Sequence, residues 1–199
     1  MHAIGIMGRI GSGKDEVAGY LEDICGIPAL DVGDAVREVT ARTGVEPTRE
    51  NLHDISKRFT KRYGRDYFVR KVIDRVERTR AGVVCITGIR TPEDVDALHE
   101  HFGDGLLLVW VHTDPHLRYL RLRERGEARD PRTFPEFMRQ EREEDELFGI
   151  EDAATRADLV LDNNGDVDEL QQRIEQQIIR GALSGALYHC HARRTSRPA

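Results

Sequence analysis

Short apolar runs alternate with longer amphipathic stretches along this chain of 199 residues. Runs rich in Val, Ile and Leu are typical of strands covered on both faces, and their alternation with helical patterns indicates a parallel sheet with crossover helices. The predicted strands cover residues 3–7, 27–31, 82–87, 106–112 and 158–162. The pattern therefore predicts an α/β fold with a five-stranded parallel sheet and helices on both faces.

Apolar spacing also predicts the first and last helices. The first begins near Gly13, and the last runs from about Val167 to Arg180. Asp166 and Glu169 are predicted to form a capping box at the start of the last helix. The residues predicted on the inner faces are Val17, Leu21 and Ile24 in the first helix and Val167, Leu170, Ile174 and Ile178 in the last.

A charged, helical stretch of about fifty residues separates the second and third strands. It is too long for a simple crossover, so residues 34–80 are predicted to form an inserted subdomain of two or three helices that binds the phosphate acceptor. One domain is predicted to cover residues 1–183. The small, polar and basic residues 184–199 are expected to form a flexible tail.

A glycine-rich motif follows the first strand directly. Residues 8–15 read Gly-Arg-Ile-Gly-Ser-Gly-Lys-Asp, and such glycines let backbone N–H groups point at phosphates while the next helix N-terminus adds positive potential. Only four of the 30 basic residues are lysines, so a lysine at position 14 indicates a compact ammonium for the outer phosphates. The motif predicts the three-layer fold of the P-loop NTPases, with ATP as cofactor. The residues predicted to bind the nucleotide are Gly8, Gly11, Ser12, Gly13, Lys14, Asp15 and Glu16.

The predicted Mg²⁺ site departs from the usual P-loop pattern at two positions. Asp15 stands where Ser or Thr normally offers a hydroxyl to Mg²⁺, and a carboxylate can bind the ion directly or through water. Thr87 ends the third strand, where many P-loop enzymes carry an acidic residue that positions the metal. Asp15 is therefore the predicted metal ligand, with Asp31 or Asp34 available to share that task.

Two further clusters follow strand ends, at the edge of the sheet where open α/β folds bind ligands. Arg37 is predicted to hold an acceptor phosphate, while Asp31 or Asp34 orients an attacking oxygen or accepts its proton. The alternative for this cluster is an N-cap aspartate with a surface arginine. After the third strand, Gly88 allows close backbone approach and Arg90 is predicted to project toward the acceptor.

Arginines are concentrated in residues 118–142. Arg121 and Arg125 lie on one helix face, and residues 125–133 are predicted to form a mobile lid that brings arginines to the charge of a phosphoryl-transfer transition state. Interleaved acidic residues indicate that the remaining arginines belong to a salt-bridged, solvated face. The predicted catalytic residues are Lys14, Asp31, Arg90, Arg121 and Arg125.

Together these motifs resemble the adenylate-kinase-type nucleotide kinases. Gly33-Asp-Ala-Val-Arg37 is similar to their acceptor-site Gly-Asp-x-x-Arg. Gly88-Ile-Arg90 is similar to their Gly-x-x-Arg region, shortened by one residue. The run from Arg121 to Arg125 is similar to the Arg-x-x-x-Arg that opens their lid.

Residues 3–180 resemble a group of uncharacterised nucleotide-kinase-like proteins that is common in archaea and often labelled dephospho-CoA-kinase-like. That group usually has Asp at the position of Thr87. Residues 4–14 and 26–31 also resemble true dephospho-CoA kinases. The resemblance implies an ATP- and Mg²⁺-dependent kinase of a nucleoside monophosphate or nucleotide-like acceptor. The alternatives are a dephospho-CoA kinase, with Asp31 as base, and a nucleotide-binding regulatory protein without turnover.

Composition narrows the expected partners. A formal net charge of −6 argues against a general binder of nucleic acid or membrane surfaces, and against a kinase of modified nucleotides in DNA. No apolar run approaches the ~20 residues that span a bilayer, and no secretory signal is expected because the first residues are predicted to form strand and loop. The three cysteines are expected to be thiols of a reducing, cytoplasmic setting. The expected partners are a nucleotide and a small-molecule phosphate acceptor, and the sequence is compatible with an oligomer.

Overall fold

A computed structural model describes residues 1–127 and 130–182. Within these residues five parallel strands form one sheet in the order β2–β3–β1–β4–β5, which confirms the predicted sheet. The strands are β1 (His2–Met7), β2 (Ala29–Asp31), β3 (Val83–Thr87), β4 (Leu106–His112) and β5 (Leu159–Asp162). Their bounds lie within two residues of the predicted ones.

Strand β1 occupies the centre of the sheet, where Ile4 lies between Cys85 of β3 and Leu107 of β4. On the other side of β3, Asp31 at the end of β2 lies opposite Thr87. Because every strand runs in the same direction, all the carboxyl ends meet at one edge of the sheet. The phosphate-binding motif and both acceptor-side clusters begin at that edge.

Helices cover both faces of the sheet. They are α1 (Lys14–Cys25), α2 (Val32–Arg42), α3 (Arg49–Tyr63), α4 (Tyr67–Thr79), α5 (Pro92–Phe102), α6 (Pro115–Arg125), α7 (Phe134–Phe148), α8 (Ile150–Ala154) and α9 (Val167–Arg173). A short 3₁₀ turn, Gly103–Gly105, precedes β4, and a π-helical segment, Ile174–Ala182, continues α9. None of the helices among the described residues is long and apolar enough to cross a membrane.

Two apolar cores result from this layering. The core on one face joins the sheet to α2, α4 and α5. The core on the other face joins it to α1, α9 and the π-helical segment, where Val17, Leu21 and Ile178 are fully buried. Val167 was predicted to be on the inner face but is 58% exposed, because it lies in the first turn of α9, before the buried stripe begins at Leu170.

The helices α2, α3 and α4 occupy the stretch between β2 and β3. Helix α3 packs against α2 and α4 rather than directly on the sheet. The acceptor-binding role of this region stays a prediction. The tail predicted at 184–199, which includes Cys190, lies outside the described residues, and so do residues 128 and 129 of the predicted lid.

A buried ion pair links the phosphate-binding motif to α6 and α7. The guanidinium of Arg118 donates to Glu141 Oε2 at 2.6 Å and to the carbonyls of Thr113 and Ile10 at 3.1 and 3.2 Å. Arg118 is 3% exposed and Glu141 is 7% exposed, although sequence patterning placed both stretches on a solvated face. Neither ion is solvated, so Arg118 depends on Glu141 for its stabilisation, while Glu141 Oε2 has a second, longer ion pair with Arg9 Nη1 at 3.7 Å.

We predict that Arg118→Met destabilises the protein by about 3–5 kcal/mol, because it leaves the buried Glu141 carboxylate with only the longer ion pair to Arg9 at 3.7 Å. Urea unfolding measures the loss. The double variant Arg118→Met/Glu141→Leu should recover part of it, since no buried charge is then left over. Equal losses in the single and double variants would show that the bonds of Arg118 to backbone carbonyls, and not the ion pair, carry the effect.

Candidate functional site

The motif after β1 forms a tight loop that leads into the N-terminus of α1. Gly11 and Gly13 have φ angles of +76° and +86°, in the left-handed region that favours glycine. A Cβ on Gly13 would lie 2.3 Å from Nδ2 of Asn163, so no other residue fits there without a shift. No side chain caps α1 at Gly13. The first N–H groups of this helix are therefore left to bind an anion.

Side chains from neighbouring strand ends hold the loop by its carbonyl groups. The carbonyl of Ser12 accepts from Thr113 Oγ1 at 3.0 Å and from Asn163 Nδ2 at 2.7 Å. Thr113 and Asn163 directly follow β4 and β5. With Arg118 on the carbonyl of Ile10, these bonds fix the loop from one side. Ser12 is 1% exposed, and its Oγ has no hydrogen-bond partner among the described residues.

Arg121 lies beside the loop without a carboxylate partner. Its Nη2 donates to the carbonyls of Asn163 at 3.1 Å and Gly165 at 3.4 Å. Its Nη1 is buried, has no partner within the described parts of the chain, and lies 3.9 Å from the Cβ position of Gly13. Partial burial lowers the pKa of Arg121. A cation desolvated without a counter-ion, next to a helix N-terminus, is arranged for an anion.

Lys14 and Asp15 stand at the mouth of the loop. The Nζ of Lys14 lies 3.2 Å from Oδ2 of Asp15, and the two side chains are 20% and 75% exposed. Glu16 is exposed in the same turn of α1. No group of three or more His, Cys, Asp or Glu side chains suited to a metal occurs among residues 1–127 and 130–182. A metal at this loop would therefore depend on a few protein oxygens together with those of a ligand.

Asp31 joins the ends of β2 and β3. Its Oδ1 accepts from the Asp34 N–H and from Arg37 Nη2, each at 3.1 Å, and its Oδ2 accepts from Thr87 Oγ1 at 2.8 Å. The N-cap interpretation of Asp31 is thus correct, yet its second oxygen is turned to the end of β3. Asp31 thereby places a carboxylate from the adjacent strand next to position 87, where this sequence has threonine. A Cβ on Gly88 would come within 2.7 Å of Asp31 Oδ2, which explains the glycine.

The two predicted acceptor-side arginines have different surroundings. Arg37 is ion-paired to Asp34 and Asp31, and although partial burial opposes it, these carboxylates raise the pKa of Arg37. Arg90 is exposed and makes no ion pair within the described residues. Its guanidinium carbon lies 5.3 Å from the centre of the Phe148 ring, within cation–π range. Arg90 is therefore the arginine that can take an anion without breaking an ion pair.

Arg125 is held within its own segment. It forms ion pairs with Asp130 and with Glu127, and the hydrogen bonds that its guanidinium donates to the Asp130 carboxylate are the main reason that the pKa of Arg125 is raised. The Asp130 side chain is 4% exposed. Closure of this segment over the loop stays a prediction.

Several residues of the site were missed in the sequence. Thr113 and Asn163 hold the loop, and Phe148 at the end of α7 supports Arg90. The first two carried a usable signal, because polar residues directly after β4 and β5 must lie at the same sheet edge as the loop. Phe148 carried none, since its contact with Arg90 depends on how α7 packs.

Comparisons with known proteins agree with this geometry. A sequence profile described as an AAA domain matches residues 4–149. A protein described as a UPF0200 protein from Methanopyrus kandleri is 37% identical over 185 residues, which cover 90% of this chain and 90% of that protein. Another from Thermococcus onnurineus is 33% identical over 177 residues, covering 87% of this chain and 94% of that protein.

Solved structures share the fold at low identity. A protein from Thermus thermophilus superposes with a TM-score of 0.66 at 20% identity, over 90% of this chain and 96% of that chain. Shikimate kinase from Acinetobacter baumannii, in complex with shikimate, has a TM-score of 0.56 at 21% identity, over 92% and 96%. A gluconokinase from Sinorhizobium meliloti has a TM-score of 0.54 at 18% identity, over 98% of both chains. These likenesses confirm the P-loop kinase-like fold.

We predict a pH dependence of stability from Asp94, the third residue of α5, in the helix that follows Arg90. Its Oδ2 accepts from the N–H groups of Arg90 and Thr91 at 3.1 and 3.0 Å, and burial raises the pKa of Asp94 to about 6. The native state therefore favours the protonated form of Asp94. The stability that this carboxyl group contributes to the native state is complete below pH 4 and is lost as the pH rises through about 6.

Relative to Asp94→Asn, the native protein should therefore lose roughly 3 kcal/mol of unfolding free energy between pH 4 and pH 7, because each pKa unit is worth about 1.36 kcal/mol. Urea unfolding at several pH values gives both curves. Parallel curves for the two proteins would contradict the assignment.

Proposed function

The chain belongs to the UPF0200 family, and from that premise we propose that it is an ATP-dependent kinase that transfers the γ-phosphoryl group to a nucleoside monophosphate or nucleotide-like acceptor. The observation that carries the proposal is Arg121, whose buried and unpartnered Nη1 lies beside the N-terminus of α1. A guanidinium in that state gains most from a phosphate oxygen. A purely structural arginine would instead have its Nη1 satisfied, as Arg118 does.

The nucleotide would be held by Gly11, Ser12, Gly13 and Lys14. The ammonium of Lys14 exchanges the carboxylate of Asp15 for the outer phosphates, and Arg121 Nη1 donates to a phosphate oxygen. Asp15, freed from Lys14, can hold Mg²⁺ together with phosphate oxygens, which is the usual division of ligands for this ion. When bound, Mg²⁺ neutralises phosphate charge. The exposed position of Asp15 fits that role.

The acceptor would lie at the carboxyl ends of β2 and β3. Arg90 offers an unpaired guanidinium, and Gly88 leaves room for close approach of the acceptor to the backbone. Arg37 can contribute only after its guanidinium turns from Asp34 to the acceptor. A phosphate acceptor needs no strong base, so positioning and charge stabilisation are sufficient.

A hydroxyl acceptor, as in a dephospho-CoA kinase, is the second candidate. The contact of Asp31 Oδ2 with Thr87 favours it, because it aims a carboxylate oxygen at the acceptor side of the sheet. Asp31 would then accept the proton of the attacking hydroxyl. Sugar and shikimate kinases among the solved structures have this fold, which supports small-molecule acceptors in general.

An acceptor screen tests the proposal. Purified protein is given Mg²⁺ and ATP with nucleoside monophosphates, dephospho-CoA or phosphomevalonate, and ADP release is recorded. We expect release that depends on one acceptor class and is abolished in Lys14→Ala, because the lysine charge acts on the phosphates and not on the core. Binding of ATP without ADP release for every acceptor would favour the regulatory alternative.

The acceptor-side arginines give a second prediction. Arg90→Ala should raise the KM for the acceptor about 10- to 150-fold, the equivalent of about 1.5–3 kcal/mol for a charge-assisted hydrogen bond, with little change in the KM for ATP. Arg37→Ala should also raise the KM for the acceptor, but by a smaller factor, because its removal also releases Asp34 and Asp31 from their ion pairs.

Two matched variants complete this kinetic test. Arg121→Ala should show the opposite pattern: it should weaken the binding of ATP and raise the KM for ATP more than the KM for the acceptor. Asp31→Asn should lower kcat only if the acceptor is a hydroxyl. The acceptor-side placement fails if Arg90→Ala changes both KM values equally.

A further inference from the structure

The C-terminal half of α3 and the start of α4 form a local basic surface. Residues 57–71 contain seven basic residues and one acidic residue, in a chain with a formal net charge of −6. Four of these basic residues, here called the α3 basic face, are exposed and form no ion pair within the described residues: Lys57, Arg58, Lys61 and Arg62. By contrast, the neighbouring Arg65 and Arg70 are ion-paired.

Aromatic rings adjoin this basic face. The rings of Tyr63 and Tyr67 stack with centroids 5.0 Å apart and an interplanar angle of 23°. Arg62 lies 5.2 Å from the Tyr63 ring centre, and Lys71 lies 5.0 Å from that of Tyr67. Tyr63 is 51% exposed. An exposed ring next to unpaired cations offers both a stacking surface and partners for phosphates.

The α3 basic face extends from the acceptor side of the site. His53 contacts the ring of Phe148, on which Arg90 stacks. Because residues four apart share a helix face, Lys57 and Lys61 continue the row that His53 begins. From Lys57 to Tyr63 the helix rises about 9 Å, which is more than a single phosphate group requires.

Two simpler explanations do not account for this surface. Cations in the last turn of a helix interact favourably with its dipole, which explains Lys61 and Arg62 but not Lys57 and Arg58, one turn earlier. The negative net charge does not cancel the surface either. At 0.1 M salt, exposed charges more than about 10 Å away are largely screened, so local charge decides what binds.

We propose that the α3 basic face and Tyr63 bind single-stranded nucleic acid, with the cations on successive phosphates and a base stacked on the tyrosine. A double helix keeps its bases stacked on one another and cannot use the ring. An acidic peptide would gain from the cations but offers no planar group to Tyr63. This inference goes beyond the proposed kinase activity, since it requires neither ATP nor turnover.

Fluorescence anisotropy with a labelled DNA single strand of about 12 nucleotides tests the proposal in the absence of ATP. Lys57→Ala/Lys61→Ala should weaken binding and reduce the slope of log K against log salt by about 1.4, because each lost phosphate contact removes about 0.7. Tyr63→Ala should weaken binding at least about fivefold. The control Arg139→Ala/Arg142→Ala removes the same charge from α7 and should change neither quantity.

Competition by unlabelled molecules shows which class of ligand the α3 basic face binds. We expect the unlabelled strand to compete, and a duplex of the same sequence, a nucleoside monophosphate and polyglutamate to compete poorly. Equal competition by the duplex or by polyglutamate would overturn the proposal in favour of non-specific or protein binding. Equal competition by the mononucleotide would make the face part of the small-molecule acceptor site. The absence of binding at low salt also overturns it.

Two control experiments separate strand binding from effects on folding and on kinase activity. The lysine and arginine variants should have the urea midpoint of the parent protein, because the substituted side chains are exposed, whereas Tyr63→Ala should lower the midpoint slightly because the ring stacks on Tyr67. Lys14→Ala should bind the strand normally, since its ammonium serves the nucleotide. Strand binding without ADP release for any acceptor would refute the kinase proposal alone, whereas ADP release without strand binding would refute the inference alone.

Discussion

The phosphate-binding loop can have its shape only because other parts of the chain hold its carbonyl groups. Thr113 and Asn163 bind the carbonyl of Ser12, and Arg118 binds that of Ile10. These three residues come after β4, after β5 and from α6, so the loop conformation depends on the whole second half of the sheet. Buried backbone acceptors need partners, and here each partner also fixes the direction of the opposite, N–H side of the loop.

The same constraint explains why an ion pair is buried in this protein. Arg118 reaches the carbonyl of Ile10 only while Glu141 balances its charge. The loop residue Arg9 also contacts α7 and α8, with ion pairs to Asp145 at 3.1 Å and Glu151 at 2.9 Å. A buried pair is weak evidence of stability by itself. Its function here is to join α7 to the loop, and α7 ends at Phe148, beneath Arg90. The proposed nucleotide and acceptor sides therefore share one support.

Sequence patterning predicted the sheet, the loop and the strand-end positions of Asp31 and Arg90, because these depend on local periodicity and on the rule that parallel strands end at one edge. It could not predict the partners of side chains. Asp31 and Thr87 are 56 positions apart, and their contact exists only because β2 pairs with β3. Glu141 lies in a run of charges that looks solvated, yet it is buried because Arg118 requires a counter-ion. The prediction that Val167 is buried was wrong for a different reason. Helical spacing shows which residues share a face, but it does not show at which turn the buried stripe begins.

The pairing state of each cation carries information that net charge does not. Many guanidinium groups in the described part of the chain meet a carboxylate, and a paired cation must give up that partner before it binds a new anion. Among the described residues Arg121 and Arg90 have no carboxylate partner at the two ends of the proposed transfer path, whereas Arg37 and Arg125 are paired. The α3 basic face is unpaired beside the same path. A net charge of −6 is compatible with both sites, since exposed charges more than about 10 Å away are largely screened at 0.1 M salt. The pairing state of the cations thus supports the proposed phosphate contacts of Arg121 and Arg90, whereas Lys14 must exchange Asp15 for its phosphate.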